Sequence, residues 1–197
     1  MVQTYLESKI KEAISLAGGN YEPKVLSILI DYYNEPDRYY HNQKHIVDML
    51  QLFDNSCKNL PFVCYSEILL ACIFHDMIYI PGRQDNEKRS ADYTSYILRT
   101  IKVPDSSCTR IMQMINGETR SIDEQIFHDL DYSILGSNEN DYKIYKENIK
   151  KEYLLVTDEM TYNTGRLAFL EKNESSCFLT EYFKDNFEKQ ATINIKK

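Results

Sequence analysis

Residues 66–80 read SEILLACIFHDMIYI, a stretch apolar on nearly every side that carries an ionisable pair, His75-Asp76, in its second half. A helix with no polar face has nothing to offer water, so this segment belongs in the middle of a helical bundle. Charges set inside such a stretch are costly unless they are paired, hydrogen-bonded or bound to a metal. For an isolated His-Asp dipeptide the plain explanation is a histidine satisfied by its neighbour. Both side chains also converge on one ion if the helix end faces a cavity.

Outward from this segment, apolar residues recur at helical spacing and strict alternation is scarce. The spacing predicts a helix over 3–16 closed by AGGN, and one over 23–33 with Pro23 in its first turn. A third starts near His41 and carries Ile46, Met49, Leu50 and Phe53 on one face. PGRQD at 81–85 breaks the chain after the apolar segment. Further helices are expected over 86–100, 104–115, 123–135, 141–156, 164–171 and 179–193, with Gly136 closing the third of these. The reading is an all-α, single-domain bundle over residues 1–197, of roughly eight helices, with no internal repeat and no linker.

The chain has 197 residues, 43% of them apolar, which suits one domain with a proper core. No apolar run reaches membrane-spanning length, and MVQTYLESKIKEAI at the start is a helical pattern rather than a signal peptide. A cytoplasmic location without membrane attachment is therefore expected. The five cysteines are scattered and form no C-x-x-C, so they read as reduced thiols. A net charge of −7 with no basic block argues against a long nucleic-acid partner. It leaves room for a small phosphorylated one, since a metal ion and one or two arginines hold a phosphate.

Two further segments carry candidate donors. In RYYHNQKHIVDML, residues 38–50, His41 and His45 stand four apart and would share a helix face. His45 lies at the border of the apolar stripe and looks into the bundle, whereas His41 lies nearer the helix start and solvent. In DEQIFHDLDYSILG, residues 123–136, helical spacing puts Phe127, Asp131, Ile134 and Leu135 on one face. Asp129 shares its face with Gln125, Tyr132 and Ser133, so Asp131 is the inward carboxylate. His128 fits either the same cavity or the helix surface. Each segment alone also fits an ordinary amphipathic helix. Together His45, His75, Asp76 and Asp131 supply two imidazoles and two carboxylates from three segments. Such a set suits one divalent ion: Mn²⁺, Fe²⁺, Co²⁺, Ni²⁺, Mg²⁺, or Zn²⁺ with added waters.

The order His … His-Asp … Asp on an all-helical chain resembles the HD-domain superfamily of metal-dependent phosphohydrolases. YHNQKHI at 40–46 is similar to the YHN-x-x-H segment of the cyclic-nucleotide phosphodiesterases in that superfamily. A fuller resemblance is to a bacterial group described as predicted metal-dependent HD phosphohydrolases. There RYYHNQKHI, IFHDMIY, NEKRSA, DLDYSILG, EY followed by YNTGR, and FEKQATIN have counterparts in the same order, over residues 36–194. The resemblance implies that His45, His75, Asp76 and Asp131 are metal ligands and that His41 is the histidine that protonates the leaving oxygen. Two departures stand out. Tyr79 occupies the position, three after the His-Asp pair, where the phosphodiesterases carry another histidine, and MINGETRS at 114–121 lacks the histidine of a Thr-x-x-His-like stretch. Both favour one ion over two.

Around the donors, Glu87 is the best remaining acid, although an acid in a first helical turn also simply complements the helix dipole. Arg38, Arg83, Lys88 and Arg166 are candidate phosphate holders or solvated surface charges, and Lys44 points outward. Tyr39, Tyr40 and Tyr79 flank the donors and line a base or sugar pocket, or pack the core. Neither a phosphate-binding glycine loop nor a Gly-x-Ser-x-Gly elbow is present. The expected function is metal-dependent hydrolysis of a small, nucleotide-like phosphate ester by attack of a metal-bound hydroxide, with His41 as the acid and Glu87 orienting water or replacing it. The alternatives are a catalytically silent HD domain that binds a nucleotide as sensor or scaffold, and a helical interaction protein whose His-Asp pairs are structural.

Overall fold

The apolar segment is helical from Tyr65 to Phe74, and every side chain from Ser66 to Phe74 is buried. It is the fourth of ten helices among the residues that the computed structural model describes, 2–61, 64–174 and 176–196, which contain no strand. Before it come α1 (Val2–Leu16), α2 (Pro23–Tyr33) and α3 (Gln43–Ser56). After α4 come α5 (Asn86–Thr100), α6 (Asp105–Ile115), α7 (Ile122–Tyr132), α8 (Glu139–Tyr153) and α9 (Glu159–Asn173). The last, α10, spans 181–195 and contains a π-helical stretch at Lys184–Glu188.

Helices α1, α3, α5, α6 and α7 all pack on α4, as a helix without a polar face requires. On α1 the buried residues are Leu6, Ile10, Ala13 and Ile14, one stripe at helical spacing. Gly18 follows in the left-handed region at φ +82°, the residue type that closes a helix there without strain. Residues of all these helices join one continuous apolar core. Among the described residues no helix is long and apolar enough to cross a membrane.

Of the boundaries that differ from the sequence reading, three have a clear hydrogen-bonding reason. Helix α3 begins at Gln43, because Asn42 caps it through a bond from the Lys44 N–H. His41 therefore precedes the helix and does not share a face with His45. Helix α4 ends at Phe74, where MIYI was expected to continue it. The backbone beyond is claimed by other side chains: Asn86 and Ser90 of α5 each bond both the N–H and the C=O of Ile80 and Ile78, respectively. Arg38 donates to the carbonyls of Asp76 and Met77. With these groups satisfied, continuing the helix gains nothing. Helix α9 starts at Glu159, five residues before the expected Thr164, since the Asp158 carboxylate caps it through the Thr161 N–H.

Asp129, expected on the more polar face of α7, is completely buried. Its carboxylate accepts the N–H groups of Leu179 and Thr180 and the Thr180 hydroxyl, each within 2.8 Å, and so fixes the start of α10. Further along, Gly136 packs so close to α10 that a Cβ there would stand 2.7 Å from Phe187. Removal of the Asp129 carboxylate orphans two backbone donors and a hydroxyl. Asp129→Ala should lower the unfolding free energy by about 2–5 kcal/mol in a denaturant titration while leaving ion binding intact. A loss below about 0.5 kcal/mol would mean that water replaces the carboxylate there.

Candidate metal centre

His75 is the C-cap of α4, held in place by a backbone bond to Ala71. Its Nδ1–H donates to the Cys72 carbonyl at 3.0 Å, which leaves Nε2 as the nitrogen with a free lone pair. His45, in the first turn of α3, presents its own Nε2 at 3.3 Å from that of His75. Asp131, near the end of α7, completes the group: its Oδ1 lies 3.2 Å from His45 Nε2 and 3.6 Å from His75 Nε2. One donor atom from each of these three residues lies within 4.8 Å of the others, so together they can hold a metal ion. Asp76 sits at their edge, with Oδ2 at 2.9 Å from His75 Nε2 and 3.8 Å from His45 Nε2. Three separate helices supply the group, and helical phase places Asp131 in it while turning Asp129 away.

Two imidazole nitrogens facing each other at this distance need a cation or a proton between them and the carboxylates. Burial pushes the His75 imidazole down, but the carboxylates of Asp76 and Asp131 outweigh it and hold the ring protonated well above its usual range. Burial likewise pushes both aspartates up. The His75 and His41 rings hold Asp76 below the usual carboxylate range, and hydrogen bonds from His45 and His75 do the same for Asp131. Without an ion, the His75 imidazolium thus pairs with the carboxylates of Asp76 and Asp131.

His41 stands beside the donors, its Nε2 4.0 Å from Asp76 Oδ2. The other ring nitrogen, Nδ1, lies 2.6 Å from Glu152 Oε2. Glu152 is completely buried in α8, and its second oxygen accepts the backbone N–H groups of Tyr40 and His41. Burial pushes Glu152 up, yet these hydrogen bonds prevail and keep it below the usual range for a glutamate. The Tyr79 ring stacks on His41 with centroids 3.8 Å apart. Glu152 was not singled out from the sequence. The signal was there, since Tyr142, Tyr145, Ile149 and Glu152 form the buried stripe of α8, and an acid on an apolar stripe needs a partner.

His41, Asp76, Glu87 and Asp131 line one cavity of about 990 Å³, with tyrosines forming much of its wall. Glu87 is exposed in the first turn of α5, at the rim. The three arginines expected near a phosphate have different situations. Arg38 is buried and donates to Glu35 and to the carbonyls of His41, Asp76 and Met77. Its guanidinium braces the chain on either side of the site and is not available to a phosphate. Arg83 grips Asp85 through Nε and Nη2, both at 2.7 Å, on the exposed rim. Arg166 lines the cavity itself. Of the lysines, Lys44 pairs with Asp48 on the outside and Lys88 with Asp92. Comparison with family models, with curated proteins and with solved structures yields no match.

Since an ion binds only neutral imidazole, the proton that the carboxylates hold on His75 must leave when one enters. Titration of chelator-treated protein with Mn²⁺ or Co²⁺ should release about one proton per ion near neutral pH, and affinity should rise as pH rises. Calorimetry in buffers of different ionisation enthalpy reads this directly. His75→Ala should bind no ion; stoichiometric retention by this variant would remove the site.

Proposed function

We propose that the protein is a metal-dependent phosphohydrolase of the HD type, acting on a small, nucleotide-like phosphate ester. One observation carries this reading. A three-residue donor cluster opens through Asp131, with Asp76 beside it, onto a cavity that a separate histidine, clamped by a buried carboxylate, also lines. The donor chemistry fits a divalent ion, because mixed imidazole and carboxylate ligands with a fixed His75 tautomer are what Mn²⁺, Fe²⁺, Co²⁺, Ni²⁺ or Zn²⁺ accept. When bound, such an ion supplies a Lewis acid for the phosphoryl oxygens and acidifies water.

The protein's own residues do the rest. His45, His75 and Asp131, with Asp76 at their side, would hold the ion. Glu152 accepts the Nδ1–H of His41, which fixes the ring's orientation and stabilises the imidazolium, so that Nε2–H points toward the cavity. That proton is given to the leaving oxygen as the ester bond breaks. The stacked Tyr79 keeps the ring from turning away. Glu87 at the rim is placed to orient water. The tyrosine-rich wall favours a planar group such as a nucleobase next to the ester.

A phosphate-release screen over nucleotides with added Mn²⁺, Co²⁺, Ni²⁺ or Mg²⁺ tests the reading. His41→Ala should keep the ion and lower turnover by roughly 10²–10⁴-fold on a substrate with a poor leaving group. The loss should shrink on a nitrophenyl ester, whose leaving group scarcely needs a proton. Glu152→Gln should show the same leaving-group dependence with a smaller loss. Nucleotide binding without release under every metal would replace the enzyme with a sensor.

A further inference from the structure

We propose that Arg166 receives a second anionic group of the substrate, carboxylate or phosphate, apart from the phosphate that reacts. The phosphohydrolase reading underlies only the word "reacts"; the anion subsite stands on the residues of α8 and α9.

The Arg166 guanidinium is held between the rings of Tyr145 and Phe169, each 5.0 Å from its central carbon. Nη1 bonds the Tyr145 hydroxyl at 3.0 Å. Nε and Nη2 are buried and have no hydrogen-bond partner among the described residues, and the Tyr142 hydroxyl is in the same condition. The Arg166 side chain acts on that hydroxyl through its charge and as a neighbouring donor, against the upward push of burial. Buried cationic donors without an acceptor are destabilising, and native proteins retain few of them.

The other arginines sharpen the contrast. Arg110 uses Nε and Nη2 to grip both oxygens of Glu67, and Arg83 uses the same edge on Asp85. That edge is the one whose geometry matches a carboxylate or two phosphate oxygens. In Arg166 that edge has no hydrogen-bonded acceptor among the described residues, in a side chain that lines the cavity. The acids at the other end do not serve it, since Asp76 and Asp131 pair with histidines.

Position separates this edge from the donors. The Tyr145 ring lies 4.7 Å from Tyr40, and Tyr40 lies 4.7 Å from His45. A run of ring contacts through Tyr145 and Tyr40 thus links the guanidinium to the donor cluster, a path on the scale of an aryl or sugar spacer rather than of a single phosphate. The cavity accordingly selects molecules with an anionic group at each end.

Phenyl phosphate and 4-carboxyphenyl phosphate test this, with binding measured by calorimetry on Mn²⁺-loaded and on chelator-treated protein. Wild type should prefer the carboxylated probe by roughly ten- to a hundredfold, the range for hydrogen bonds to a charged group. Arg166→Gln should abolish the preference and leave phenyl phosphate binding unchanged. Tyr142→Phe should reduce the preference a few-fold, and Arg166→Lys should retain only part of it. If the glutamine variant does not fold, the lysine and phenylalanine variants decide. Equal loss for both probes would mean that Arg166 grips the reacting phosphate, and overturns the proposal. So does a wild type without preference, or an unchanged preference in the variants. A preference that persists with neither probe hydrolysed would sink the phosphohydrolase reading and leave the anion subsite standing.

Discussion

Helix α4 stops inside the core, and everything at the donor cluster depends on that stop. A helix end buried in apolar surroundings leaves carbonyl and amide groups that must find partners. Here Arg38, Asn86 and Ser90 provide them, so the segment from Asp76 to Ile80 leaves the helix through a turn and a bend beside the cavity that Asp76 and Tyr79 line. Without those side chains the helix would continue and carry Asp76 round to another face. With them, His75 and Asp76 both point toward the space where His45 and Asp131 arrive.

The bracing extends outward in layers. Arg38 bonds the carbonyl of His41 as well as those of Asp76 and Met77, so one guanidinium ties the segment before α3 to the segment after α4. Glu152 ties the first of these to α8 by accepting two backbone N–H groups and the His41 ring. Both are charged groups buried deep, and each is stable there because nearly all its hydrogen-bonding capacity is met. The result is a histidine held in place beside the donor cluster yet outside it. Elsewhere on the cavity the same accounting gives the opposite answer: among the described residues, two nitrogens of Arg166 have no acceptor.

Much of this was legible in residue order. The all-round apolar character of residues 66–74 placed α4 in the centre, and helical phase chose Asp131 over Asp129 for the cavity. Periodicity was less informative about Asp129, whose polar-looking face is the one that α10 covers. It also misplaced His41, because an Asn42 cap ends the helical pattern that the spacing to His45 suggests. Glu152 showed only as an acid on the apolar stripe of α8, and its partner, more than a hundred residues away in sequence, gave no local sign of itself.

Local pattern determines which faces are apolar, where caps and breaks fall, and which residue types are available for chemistry, since these depend on neighbours within a turn or two. The sequence by itself therefore determined an all-helical chain, a central α4 and a pool of histidines and aspartates. Which polar groups meet was decided only by tertiary structure. The engagement of Arg38 with backbone, the clamp of Glu152 on His41 and the unmet edge of Arg166 all arise between distant segments. Hydrogen-bond satisfaction inside a core is a property of the packed whole, and no short stretch of residues contains it.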